Sequence, residues 1–293
     1  LLGAYDVLGF QTETDATNIC RCFGGECGVH RIGDGTFDFA GRHVAVDVYP
    51  VGVETEAFER LGRRTIGSGF AREVVESLSG RAMIIGVDRL DYSKGIPERM
   101  TAFERFLALY PDWHNRVTYL QITPRSRSEN AEYADIARVV GESVGRINGR
   151  FGEAAWTPVR YINKAHNRTA LAGLYRAARV GLVTPLRDGM NLVAKEYVAA
   201  QDADNPGILV LSRFAGAARE CTTALQVNPY DPEGVAIAID RALSMPLKER
   251  KQRHAANFAA LARNDRTRWA ERFLSSLEQT PAKIEDAPSL TEH

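Results

Sequence analysis

Between Ala82 and Met245, short apolar runs rich in β-branched residues alternate with stretches of helical periodicity, and this alternation leaves few possible architectures. Strands are expected at 82–87, 117–122, 159–162, 180–184, 207–211 and 224–227. Helices are expected at 96–110, 130–148, 169–178, 192–200 and 232–245, with a shorter helical piece at 215–219. The apolar run Val180–Val183 reads as a buried strand. Strands separated by helices form βαβ units and a parallel sheet, and right-handed crossovers make that sheet doubly wound and Rossmann-like. In such a sheet the loops leaving the C-terminal strand ends open into one crevice, where ligands bind.

Four of these strand ends carry chemistry. The run Val180–Val183 leads into Thr184-Pro185-Leu186-Arg187-Asp188-Gly189-Met190-Asn191-Leu192-Val193-Ala194-Lys195-Glu196-Tyr197. Asp188 is the expected N-cap of the helix that follows, its carboxylate accepting from first-turn amides. Those amides lack internal partners and form an anion site. Glu196 places a second carboxylate two turns on. The first strand is followed by Asp88, Arg89, Asp91 and Lys94. A guanidinium fork beside a lysine point charge suits a diphosphate, whereas pairing with Asp88 or Asp91 in a solvated loop is the plainer alternative. Arg125 and Arg127 follow the second strand; Lys164, His166 and Arg168 follow the third. Neither a GxGxxG fingerprint nor a GxxxxGK[ST] loop is present. The convergence of basic strand ends points to a phosphate-bearing ligand.

The remainder is less regular. Residues 1–50 offer one convincing strand, 44–49, a short helix at 15–22 and a Gly-rich loop over 23–35, too few elements for a sheet domain of their own. Residues 51–80 read as a linker with first helices, 247–264 and 266–277 as two closing helices, and 280–293 as a polar, disordered tail. Lys+Arg and Asp+Glu number 37 each, so no overall field favours nucleic acid or an anionic membrane. With no apolar run of transmembrane length and no signal-peptide pattern, a cytoplasmic location is expected. Cys20, Cys22, Cys27 and His30 are spaced Cys-x-Cys-x4-Cys-x2-His, which departs from common zinc spacings, so unmetallated thiols are expected there. Cys221 is expected to be a small buried residue.

Several long motifs carry a resemblance: Arg89-Leu90-Asp91-Tyr92-Ser93-Lys94-Gly95, Gly145-Arg146-Ile147-Asn148-Gly149-Arg150-Phe151-Gly152, Trp156-Thr157-Pro158, Gly181 through Gln201, Ser212-Arg213-Phe214-Ala215-Gly216-Ala217-Ala218 and Val227-Asn228-Pro229-Tyr230-Asp231. Together with Leu8-Gly9-Phe10-Gln11-Thr12 they make the chain resemble the trehalose-6-phosphate synthase family, family 20 of the retaining glycosyltransferases. The resemblance implies an α/β chain of GT-B type, with one complete doubly wound Rossmann-like domain and the C-terminal remnant of a second. The implied divisions are 1–50, remnant of an N-terminal acceptor domain; 51–80, linker and first helices; 81–246, donor domain; 247–279, helices packing back toward the N-terminal domain; and 280–293, tail.

The implied activity is transfer of glucose from UDP-glucose to glucose 6-phosphate with retention, without metal or other cofactor. By resemblance, Arg89 and Lys94 hold the diphosphate. Asp188 and the backbone of Gly189, Met190 and Asn191 contact the glucose. The amides of Leu192 and Val193 lie near the phosphates, Ala194 and Lys195 belong to the same donor site, Glu196 takes the ribose hydroxyls, and His166 meets the uracil through its backbone. Arg127, with Arg168 as a neighbour, serves the acceptor phosphate. The family's glycine-bearing phosphate loop and acceptor-holding residues are not found before Leu1, so the chain is expected to be N-terminally truncated, with weakened UDP-sugar recognition and little or no turnover alone. Apolar surface left exposed by that truncation leaves room for a homo-oligomer. Two other readings keep the same donor half: a sister transferase with an acceptor such as glycerol 3-phosphate, and a non-catalytic nucleotide-sugar-binding protein.

Overall fold

The computed structural model describes residues 4–25, 29–33, 35–39, 41–124 and 131–279. The chain divides into two compact units, Leu1–Val51 with Thr267–His293, and Gly52–Arg266.

The first unit contains β1 (Val7–Phe10), α1 (Glu13–Gly25), β2 (His30–Gly33), β3 (Thr36–Phe39) and β4 (Arg42–Val48). They form a four-stranded sheet in the order β1-β4-β3-β2, with β1 parallel to β4 and the other pairs antiparallel. This corrects the expectation of a single strand. Leu8, Ala16, Phe23, Phe37, Val44 and Val46 make a core of their own, in which the ring of Phe23 meets Phe37 and Phe39 edge-on at 5.4 and 4.9 Å. β2 and β3 are four residues each and β2 is exposed throughout, so polar and glycine residues there resembled loop rather than half a hairpin. Cys20 and Cys22 are half-buried, and Cys27 lies outside the described residues. Among the described residues no cluster of three or more His, Cys, Asp or Glu could hold a metal. The tail 280–293 and Arg127 also lie outside them.

In the second unit, α2 (Thr55–Thr65) and α3 (Gly69–Ser77) occupy the stretch expected as linker. Both pack on α6 (Arg168–Ala177), with Phe58, Gly62 and Thr65 buried on α2, so these residues belong to the body of the unit. The remaining elements are β5 (Ala82–Val87), α4 (Ile96–Leu109), β6 (Val117–Ile122), α5 (Ala131–Phe151), β7 (Val159–Ile162), β8 (Val180–Val183), α7 (Leu192–Ala200), β9 (Ile208–Ser212), β10 (Leu225–Val227) and α8 (Pro232–Ser244). The six strands are all parallel, ordered β10-β9-β8-β5-β6-β7. β6, β8 and β9 are buried at every position, because helices cover both faces, and this explains their largely apolar sequence, with Thr118, Gln121 and Ser212 the buried polar members. The core runs from Ile84, Phe103, Phe106 and Tyr119 through Val180 and Val210 to Ile239.

The strand order reverses between β5 and β8, which are direct neighbours. In open parallel sheets ligands bind at such a switch point, beyond the carboxyl ends of the two strands. Of the closing helices, α9 (Leu247–Arg263) packs on α7, whereas α10 (Arg266–Gln279) belongs almost wholly to the first unit. There Trp269 donates its indole N–H to the Tyr49 carbonyl at 3.1 Å, and Phe273 sits edge-on to the Tyr49 ring. Among the described residues no helix is long and apolar enough to cross a membrane.

Candidate functional site

The loops after β5 and β8 meet across the switch point. After β5, a 3₁₀ turn at Tyr92–Lys94 is capped by Asp91, whose carboxylate accepts from the Ser93 amide and hydroxyl, both at 2.8 Å. Gly95 follows with φ 62°, and a Cβ there would stand 2.7 Å from the Thr184 carbonyl oxygen. Glycine therefore serves both the left-handed turn and the close approach of the two loops. The Leu186 amide donates to the Ser93 carbonyl at 2.8 Å, which stitches them together. At the seam, Lys94 Nζ lies 2.6 Å from Asp188 Oδ2. Arg89 is exposed beside them and forms no ion pair among the described residues.

Asp188 was the expected cap of α7, and the structure assigns that role to Asn191. Asn191 has φ 75° and its Oδ1 accepts the Ala194 amide at 3.0 Å, while its Nδ2 donates to Asp188 Oδ2 at 3.0 Å. Asparagine tolerates the left-handed region far better than most residues, and the Asp188 carboxylate is already engaged by Lys94. The cap leaves the amides of Leu192 and Val193, which as first-turn donors have no partner inside the helix. A Cβ on Gly189 would meet nothing within 4 Å, so the backbone there faces open space, and Met190 is buried behind it.

Beneath the loops lies a residue that sequence reasoning missed. Arg99, on α4, is buried, and its guanidinium reaches Asp88 at 2.6 Å, Thr184 Oγ1 at 3.0 Å, Gln121 Oε1 at 3.1 Å and the Lys94 carbonyl at 3.2 Å. It thus ties the ends of β5, β6 and β8 to the lysine at the seam. Burial pushes the Asp88 carboxyl up against the pull of Arg99, while Arg99 is held above its ordinary value by Asp88 and Tyr119 despite the same burial. One arginine on an amphipathic helix carries no local mark of such a role.

Helix α7 divides the residues expected at the donor. Leu192 is exposed, Val193 and Glu196 are half-buried, and Ala194 and Lys195 are buried. Lys195 is the correction: its Nζ sits 2.6 Å from Glu220 inside the unit, because helical geometry turns it away from the face that carries Leu192 and Glu196. Glu196 makes no hydrogen bond or ion pair among the described residues; burial raises its pKa, opposed by the charge of Arg168. The neighbouring Tyr175 hydroxyl is buried without a hydrogen-bond partner among the described residues.

On the β7–α6 loop, His166 stacks on Phe70 with ring centroids 4.6 Å apart, and its Nε2 is buried without a hydrogen-bond partner among the described residues. Burial, reinforced by Lys164, lowers its pKa and favours the neutral ring. Arg168 pairs with Glu54 at 3.3 Å and lies over the Phe58 ring at 4.9 Å, so its guanidinium is already engaged.

A family model for glycosyltransferase family 20 matches residues 1–279. The chain belongs to glycosyltransferase family 20. A trehalose-6-phosphate synthase of Sinorhizobium fredii (strain NBRC 101917 / NGR234) is 52% identical over 276 residues, 94% of this chain and 60% of that protein. An α,α-trehalose-phosphate synthase (UDP-forming) from Burkholderia xenovorans, solved in complex with glucose-6-phosphate, superposes with a TM-score of 0.92 at 46% identity, covering 94% of this chain and 62% of that one. The E. coli trehalose-6-phosphate structure bound with UDP-2-fluoro glucose gives a TM-score of 0.91 at 44% identity, covering 96% and 62%. The family 20 chain described here thus has the GT-B type fold of these enzymes over the part they share, and it spans about 60% of the length of the curated relatives it matches.

Proposed function

We propose that this chain carries the nucleotide-sugar side of a retaining transfer of glucose from UDP-glucose to glucose 6-phosphate, giving trehalose 6-phosphate and UDP. The observation that carries the reading is the Lys94–Asp188 pair, 2.6 Å long, at the switch point between β5 and β8. It sets a cation and a carboxylate side by side where a sugar diphosphate must present both its hydroxyls and its phosphates.

In this reading an incoming diphosphate draws Lys94 from Asp188 and engages Arg89. The freed Asp188 carboxylate accepts from a glucose hydroxyl. The amides of Leu192 and Val193 meet the phosphates at the positive end of α7. Glu196, which has a half-buried carboxylate and no protein partner among the described residues, accepts from the ribose hydroxyls. The uracil lies along the backbone near His166, and Arg127 serves the acceptor phosphate.

The bond from glucose C1 to the diphosphate oxygen breaks as the acceptor hydroxyl oxygen bonds C1 on the same face, and the departing phosphate takes the hydroxyl proton. Arg89, Lys94 and the helix terminus stabilise the charge that develops on UDP, a preorganised electrostatic role. No metal or cofactor is assigned a part in this reading. The structures solved with glucose-6-phosphate and with UDP-2-fluoro glucose support the choice of substrates.

Calorimetric titration with UDP and UDP-glucose, in the presence and absence of a chelator, tests the donor half. Saturable binding of both, insensitive to chelation and weakened at least about ten-fold by Lys94→Ala, is the expected result. Native protein that binds neither nucleotide would sink the proposal. Coupled detection of UDP release with glucose 6-phosphate present assays the complete reaction.

A further inference from the structure

The loop after β9 lies along the Asp188–Met190 segment as a short parallel ladder. The Asp188 amide donates to the Phe214 carbonyl at 3.2 Å, the Gly216 amide to the Asp188 carbonyl at 3.0 Å, and the Ala217 amide to the Met190 carbonyl at 2.7 Å. Asp188 and Ala215 form an isolated β-bridge. The approach is as close as backbones allow. A Cβ on Gly216 would stand 2.0 Å from the Gly189 carbonyl oxygen, 2.9 Å from its carbon and 3.1 Å from the Met190 Cα. All three obstacles are backbone, so no side-chain rotation relieves them, and a methyl group at 216 must move Gly189 or break the ladder.

Gly189 differs from Gly216. It has open space where its Cβ would point, so its own packing places no such demand on it. The two glycines back onto one another: Gly216 brings the ladder in behind, and Gly189 presents the bare backbone in front. The amides of Leu192 and Val193 have an additional hold in the Asn191 cap on Ala194 and the body of α7, beyond the Asn191 bond to Asp188. The loop at 91–95 has an additional hold in Arg99, which binds the Lys94 carbonyl, beyond its bonds to residues 184–188.

We infer that Gly216 is a positioning residue for the sugar-facing backbone of Asp188–Met190 and sets how well the site holds a hexose, while leaving the nucleotide and diphosphate contacts alone. The inference rests on the donor-site reading above. It makes the β9 loop a determinant of sugar recognition although the side chain of residue 216 is a hydrogen atom.

The test compares UDP-glucose with UDP on native protein and on Gly216→Ala. The expected result is a rise of at least about ten-fold in the ratio of the UDP-glucose Kd to the UDP Kd, with the UDP Kd within about two-fold of native and the unfolding transition still cooperative. Ala217→Pro, which removes the donor to the Met190 carbonyl at the start of a 3₁₀ turn, carries the same comparison should Gly216→Ala fail to fold. Equal losses for both ligands, or no change for either, would overturn the inference while leaving the donor site standing. Native protein that binds UDP but shows no contact with the sugar, judged by equal affinities and no saturation-transfer signal from the hexose, would overturn it too. Absence of UDP binding by native protein would instead remove the donor reading, and the inference with it.

Discussion

Two lysine–carboxylate pairs of equal length bracket α7, and they do different work. Lys94–Asp188 spans the switch point at 2.6 Å with side chains 17% and 14% exposed. Lys195–Glu220 also measures 2.6 Å, with side chains 0% and 9% exposed. The first lies where solvent or a ligand can replace either partner. The second has no substitute for its partner, since the medium around it cannot solvate an unpaired charge. Distance alone does not separate a pair open to exchange from a sealed one; access to an alternative partner does.

Breaking the buried pair has the largest expected effect. Lys195→Met leaves Glu220 charged and unpartnered, and chemical denaturation is expected to show a loss of about 3–5 kcal/mol. Adding Glu220→Leu is expected to recover most of it, because an apolar pair of similar volume carries no desolvation cost. Equal loss in the single and double variants would contradict this account.

Breaking the cleft pair reverses the balance. Lys94→Met is expected to change stability by no more than about 1 kcal/mol, while titration shows UDP binding weakened at least about ten-fold. A Lys94 variant that unfolds as readily as the Lys195 variant would erase the distinction.

The cap between the two pairs comes next. Asn191→Ala removes the acceptor for the Ala194 amide and puts alanine at φ 75°, for an expected cost of about 1–2 kcal/mol. Asn191→Gly keeps the backbone angle and loses only the cap, so it is expected to cost less in the same denaturation series.

The smallest effect is a pH signature at Glu196. Its folded pKa lies above its unfolded value because of burial, so between the two values the folded state binds more protons. The associated stability is fully present below the unfolded glutamate value, about 4.3, and is lost as pH rises through the folded value. Glu196→Gln is therefore expected to be more stable than native protein at neutral pH, with the difference closing toward about pH 4. A constant offset across that range would show that the carboxylate is not desolvated.

The succession of strands and helices from 82 to 245 was legible to within a few residues, though residues 55–77 were expected as linker and pack into the same unit. Its strands are short, buried on both faces and separated by helices, and each of those facts leaves a local trace. The sheet of residues 7–48 was not. β2 is exposed throughout, β3 is four residues long, and their hold on the fold comes from Phe23, Phe37 and Val44 meeting across the sheet rather than from periodicity along it.

In the site, the strand ends bearing Arg89, Lys94 and Asp188 could be read from residue type and position, and the roles along 192–196 only from the family resemblance. The reading failed where a role depended on which way a side chain turned. Asp188 had the right chemistry for a cap, yet Asn191 holds it. Lys195 lay inside a ligand-like motif, yet its charge is used within the core.

By itself, the sequence determined the parallel doubly wound sheet and the family to which the chain belongs, because periodicity, the alternation of strands with helices and long motifs are properties of the linear chain. Tertiary structure alone decided which charges face the crevice and which are sealed beneath it. Arg99 becomes the anchor of three strand ends, and Gly216 the support behind Gly189, only when segments far apart in sequence come within hydrogen-bond reach. Pairing, desolvation and close backbone approach are set by distances in space, and no local pattern encodes them.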